Sequence, residues 1–171
     1  MAIKTLEEKF QHGLGDIYDA EHRFLEAQQT MLEGASDATV QAMLKKHIAE
    51  TEQQIVNLTR VYEVLGLKAE RVSCDAAAGL VSEGNKLLKE TKDVPALADL
   101  AINGSCSKVE HYEIASYRGL IAGAEMMGQT EVAQLLTENL DQEENTADSL
   151  EATMPALLER AMQTASKSAV S

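Results

Sequence analysis

Four long stretches of the chain repeat apolar residues at steps of three and four, and two of the three connections between them are only a few residues long. No other feature limits the fold as tightly. The first stretch covers about 3–33 and aligns Leu6, Phe10, Leu14, Ile17, Phe24, Leu25 and Leu32, the spacing of an amphipathic helix. "GASD" at 34–37 ends it, and Ser36 or Asp37 can cap the helix that follows. The second stretch covers 38–65, with Val40, Leu44, Ile48, Ile55, Leu58, Tyr62 and Leu65 on one face and its stripe centred on Ile48, Ile55 and Tyr62, and Gly66 supplies a natural stop. The third starts near Pro95, which suits a first helical turn, and runs to Met127 before Gly128. The fourth runs from about 130 at least to 154. Pro155 either kinks it or begins a short C-terminal helix over 155–165, and the Ser/Ala-rich tail over 164–171 is expected to fray.

The short turns make the first and second helices antiparallel, and likewise the third and fourth. Residues 67–94, with a short helix expected around 75–90, are long enough to travel the length of the bundle. Two helical hairpins joined by one long crossover is the ferritin-like arrangement of a four-helix bundle. Composition agrees: there are two prolines, no tryptophan and few aromatics, while helix formers dominate and hydrophobic residues make up 44%. All 171 residues are expected to form one all-α domain, residues 1–171.

Several function classes are disfavoured at once. A net charge of -13 repels phosphate backbones and anionic membranes. No apolar run approaches the ~20 residues of a membrane span, and "MAIKTLEEKF" lacks the apolar core of a signal peptide. A soluble cytoplasmic protein without nucleic-acid or membrane partners is expected. Cys74 and Cys106 are too few for a disulfide framework and form no C-x-x-C pair, so they are expected to be reduced.

The informative residues are acidic ones inside the apolar stripes. Glu21 lies four residues after Ile17 and three before Phe24; Glu143 lies in the seam of Leu136, Leu140, Ala147 and Leu150. Glu113 lies in the seam of Cys106, Val109, Tyr117 and Leu120, with Glu110 about 60° away on the same side. On the second helix His47, Glu50 and Gln54 line one flank. A carboxylate in a bundle core costs several kcal/mol unless compensated. Arg23, Lys45, Lys46, Arg60 and Lys108 all project elsewhere. Singly, each glutamate is as readily an interface-edge residue, and Glu50 as readily a solvated flank. Together they fall at matching heights, roughly 20 Å from their turns at 1.5 Å per residue. Divalent metal ions answer that arrangement directly. A short internal echo, "EHRFLEA" at 21–27 and "EHYEIAS" at 110–116, aligns Glu21 with Glu110.

"DIYDAEHRFLEA", "HIAETEQQIVNL", "KVEHYEIASYRGL" and "LDQEENTADSL", in this order over residues 3 to about 160, resemble the YciE/YciF-like branch of the ferritin-like superfamily. The resemblance implies a bundle with a dimetal carboxylate centre, a homodimer, and an association with bacterial stress responses. It implies Glu21, Glu50, Glu110, Glu113 and Glu143 as ligands of two divalent ions, iron or manganese. One departure from the wider superfamily stands out. The usual Glu-x-x-His of the second and fourth helices is missing: Glu50 is followed by Gln53 and Gln54, and Glu143 by Thr146 and Ala147. His47, Gln54 and His111 are the candidate substitutes, Glu144 borders the fourth seam, and an oxygen-rich site favours harder metals. Two functions stay open. One is a dimetal oxidoreductase of peroxidase or ferroxidase type; the other is a non-enzymatic helical stress protein whose acidic core binds metal only structurally or not at all.

Overall fold

The structure, a computed structural model, describes residues 2–168. Among the described residues it comprises α1 (Leu6–Gly34), α2 (Ala38–Val64), α3 (Asp75–Thr91), α4 (Pro95–Met126) and α5 (Thr130–Ser168), with no strand. The boundaries follow local chemistry. Thr5 and Glu8 form a reciprocal capping box at the start of α1. Asp37, not Ser36, caps α2, accepting the backbone N–H groups of Thr39 and Val40. Ser36 instead gives its N–H and hydroxyl to buried Asp99 of α4, at 2.7 and 2.6 Å. Gly66 and Gly128 take the positive φ (68° and 71°) that ends α2 and α4.

Packing follows the expected order. α1 lies against α2 and α4, and α5 against α2 and α4, which closes a four-helix bundle; α3 covers the outside of α1 and α4. The crossover reaches α3 through a close passage over α1, where the Val72 N–H donates to the Gly15 carbonyl at 3.0 Å. No side chain fits there, since a Cβ on Gly15 would stand 2.6 Å from Val72 Cγ2. No helix among the described residues is long and apolar enough to cross a membrane.

Three expectations are corrected in detail. The segment 155–165 is helical but is no separate C-terminal helix, because α5 continues through Pro155 to Ser168. Pro155 and Glu151, whose carbonyl loses its i+4 donor there, are both exposed, so water can serve that oxygen. The tail expected to fray is helical as far as Ser168, and its remainder, 169–171, lies outside the described residues. The buried stripe of α2 is also rotated from the one centred on Ile48 and Ile55. Val40, Leu44, Leu58 and Tyr62 are buried as expected, but between them the stripe runs through His47, Thr51 and Gln54, and Ile48 and Ile55 are half-buried.

That rotation has a cause in the core, which is divided in two. One apolar cluster holds Leu14, Ile17, Phe24, Leu58, Tyr117 and Leu136; the other holds Met31, Val40, Leu44, Ile102, Leu150 and Leu157. On every helix of the bundle a polar residue stands between them. α2 turns its polar face inward at that level because the interior there is not apolar.

Candidate metal centre

The layer between the two clusters is built from Glu21 on α1, His47 and Gln54 on α2, Glu110 and Glu113 on α4, and Glu143 on α5. All four glutamates are at most 1% exposed. His47, Glu110, Glu113 and Glu143 each bring one ligand atom into a group whose members lie within 4.8 Å of one another. Glu50 stands at the rim. Its side chain is 18% exposed and one oxygen meets Lys46 Nζ at 2.6 Å, while Oε2 is buried without a hydrogen bond.

The hydrogen-bond inventory is uneven. Both oxygens of Glu110 and of Glu113, and Oε2 of Glu21 and Glu143, find no hydrogen-bond partner among the described residues. Neither ring nitrogen of His47 does, although Nε2 lies 3.0 Å from Glu110 Oε1, because the two are out of hydrogen-bonding line. The other oxygens are held. Tyr117 donates its hydroxyl to Glu21 Oε1, and Gln54 donates its amide to Glu143 Oε1. Asn139 ties those two together, giving its side-chain N–H groups to the Tyr117 hydroxyl (3.0 Å) and the Gln54 backbone carbonyl (3.3 Å). Asn57 fixes Asn139 in turn at 2.8 Å. Each end carboxylate is therefore oriented by one oxygen and presents the other to the interior.

Buried like charges set the electrostatics. Burial, then the charge of Glu143, pushes the Glu21 carboxyl up to about 8, against the opposing pull of the Tyr117 hydroxyl. Burial is also the main cause at Glu110, raised to about 7, with Glu21 and Glu50 adding to it. Glu113 and Glu143 are pushed well above the carboxylate range, first by burial and then by their acidic neighbours. Of the basic side chains only His47 pulls the other way, at Glu21 and Glu143; arginines do not relieve the layer, since Arg23 and Arg71 are spent on Asp19, at 2.5 and 2.8 Å, and Arg118 on Glu144 at the surface. Orphaned carboxylate oxygens plus one imidazole form a donor set suited to hard or borderline divalent ions, so the residues present fit a metal.

Glu21, Glu110, Glu113 and Glu143 are thus brought together, with Glu50 beside them. His111 is exposed; its Nδ1 lies 2.8 Å from the Ser107 carbonyl, outside the layer. His22, its counterpart in the internal echo, makes the same i−4 contact with Tyr18 at 2.7 Å. His47, whose role the sequence left open, is inside. Tyr117, expected as apolar packing, and Asn139, not singled out, turn out to be the supports. Asn139 stands four residues before Glu143, so helical spacing was the available signal for it.

Residues 5–163 match the family described as domain of unknown function DUF892. Protein YciF of Escherichia coli K12 is 36% identical over 147 residues, covering 85% of this chain and 88% of that protein. The crystal structure of the E. coli stress protein YciF matches with a TM-score of 0.86 and 34% identity, over 92% of this chain and 99% of that one. YcfI of Rhodopseudomonas palustris matches with a TM-score of 0.82 and 38% identity, over 87% and 94% of the two chains.

Proposed function

The chain belongs to the DUF892 family, which is ferritin-like, and on that premise we propose that it is a dimetal-carboxylate protein acting in a stress response. The ligands are Glu21, Glu50, Glu110, Glu113 and Glu143, with His47 as the nitrogen donor that takes the place of the missing Glu-x-x-His histidines. The ions are iron or manganese, and the working unit is a homodimer. The observation that carries the metal reading is the set of carboxylate oxygens of buried Glu21, Glu110, Glu113 and Glu143, from three helices, with neither a hydrogen bond nor an arginine or lysine beside them. Such groups cost several kcal/mol each when left charged and unpaired. The stress role is supported by the stress protein of E. coli, 34% identical over nearly the whole chain.

When bound, a pair of redox-active divalent ions supplies two electrons at one place, as reduction of dioxygen to peroxide or of peroxide to water requires. The chain's own part is to orient and to exclude water. Tyr117 and Gln54 each fix one carboxylate oxygen and leave its partner free, so Glu21 and Glu143 keep their inward aim without metal. The apolar clusters on either side keep water from the layer, which strengthens every charge interaction within it.

The test is anaerobic loading with Fe(II) or Mn(II), followed by a pulse of dioxygen or hydrogen peroxide, for the wild type and a Glu21→Ala, Glu143→Ala double variant. Oxidant consumption in proportion to bound metal, lost in the double variant, is expected. Bound metal with no consumption above background would make the site structural and defeat the redox part. Equal, negligible metal in both proteins would defeat the whole reading.

A further inference from the structure

Glu50 is placed differently from the other four proposed ligands. Glu21, Glu110, Glu113 and Glu143 are at most 1% exposed, and an apolar cluster closes the layer on either side. Of the five, Glu50 alone meets solvent. Its two oxygens lie in different surroundings. Oε1 is 2.6 Å from the Lys46 ammonium, itself 63% exposed, while Oε2 is buried without a hydrogen bond. The Glu50 carboxylate is also close enough to Glu110 for its charge to help hold the Glu110 proton in place. One side chain thus links the surface to the interior of the layer.

Helix stability does not account for the Lys46 contact. A lysine four residues before a glutamate is the weaker order of such a pair, and exposed ion pairs contribute little. Lys86 and Glu90 repeat that order on α3, but they stand 4.0 Å apart and both are exposed. At Glu50 the ammonium instead sits on the carboxylate through which a cation arriving from water can first reach the layer. A single positive charge there neutralises Glu50 and repels a second cation. A divalent ion attracts the same carboxylate about twice as strongly at equal distance, and the unpartnered oxygens further in add to its hold. The pair is therefore weak enough to open and placed where opening matters.

We propose that Glu50 is the entry residue of the metal centre and that Lys46 is its gate. The ammonium holds the outward oxygen of Glu50 until a divalent cation displaces it, and Glu50 then passes that cation inward, to the side of its buried oxygen. Lys46 is a positioning residue: it sets the rate of loading and is no ligand of the loaded centre. The inference rests on the metal reading above, and the experiment separates the two.

Chelator-treated protein is mixed rapidly with Mn(II), the probe, at low ionic strength, and uptake is followed by loss of the free-ion electron paramagnetic resonance signal. The final amplitude gives the metal content independently of the rate. Lys46→Gln should load roughly fivefold faster than wild type, the effect of removing one exposed ion pair. Lys45→Gln removes the same charge from a neighbouring exposed position and should stay within about twofold of wild type, since charges away from the entry are screened. Lys46→Arg keeps the charge and should load no faster than wild type. The gain in Lys46→Gln should shrink as salt rises and disappear when Glu50→Gln is combined with it. Equal rates for Lys46→Gln and Lys45→Gln overturn the inference, while a normal metal content leaves the metal reading standing. A gain that persists undiminished on Glu50→Gln overturns it equally; if Glu50→Gln takes up no Mn(II), the two lysine variants decide alone. A wild type that takes up no Mn(II) overturns the metal reading and this inference with it.

Discussion

Removing metal should make the stability of this protein fall as pH rises, the reverse of ordinary acid denaturation. In the metal-free fold the carboxyls of Glu21 and Glu110 are raised from 4.5 to about 8 and about 7, and those of Glu113 and Glu143 are raised as well. Between pH 4.5 and those values the folded chain holds protons that the unfolded chain has released. Stability is then fully present below the unfolded value of 4.5 and is lost as pH climbs through the folded values. Each carboxyl that stays protonated in the fold contributes a slope of about −1.4 kcal/mol per pH unit. Over two units, even one or two such protons amount to several kcal/mol, a large part of a total stability that is typically 5–15 kcal/mol. Bound metal displaces those protons, so the loaded protein should show a flat or rising profile. Urea unfolding followed by far-UV circular dichroism, on chelator-treated and Mn(II)-loaded protein across this window, measures both curves. Glu21→Gln removes one of the charges and should make the metal-free slope shallower by about 1.4 kcal/mol per pH unit. A metal-free stability that stays constant or rises from pH 4.5 to about 8 would refute the reasoning.

Three further outcomes are expected. Gly15→Ala should destabilise by about 1–3 kcal/mol through overpacking against Val72 and the Glu70 carbonyl, more than the roughly 1 kcal/mol gained in helix propensity; chemical denaturation checks it. Asp99→Ala should cost about 2–3 kcal/mol, because the Ser36 and Asp37 N–H groups lose their buried carboxylate acceptor, and thermal unfolding measures the loss. Light scattering on the purified chain should return twice 18.6 kDa if the homodimer forms, and the monomer mass removes that part of the proposal.

Element boundaries were legible because turn chemistry is local. Asp37, Gly66, Pro95 and Gly128 each act within a few residues of themselves, and helical periodicity did the rest. The inward glutamates of α1, α4 and α5 were legible for the same reason, since each interrupts an otherwise apolar stripe. α2 was not. Its inward face carries His47, Thr51 and Gln54, so hydropathy pointed to Ile48 and Ile55, and only the acidic neighbours from three other helices explain why the polar face turns in. Pro155 misled in the opposite sense, because a proline on an exposed helix face can be carried by water. Buried Asp19 and Asp99 were invisible as well. Apart from Arg23, one turn on from Asp19, their partners (Arg71 and the Cys74 N–H for one, the 36–37 turn for the other) lie more than 50 residues away and are brought close only by the fold.

The most direct measurement is metal content and position together, on protein supplied with both iron and manganese. Elemental analysis should find two ions per wild-type chain and only background in the Glu21→Ala, Glu143→Ala variant. Anomalous scattering at the iron and manganese edges should locate them among Glu21, Glu50, Glu110, Glu113, Glu143 and His47. Equal and negligible metal in the two proteins, or ions bound only at the acidic surface, would contradict the central claim.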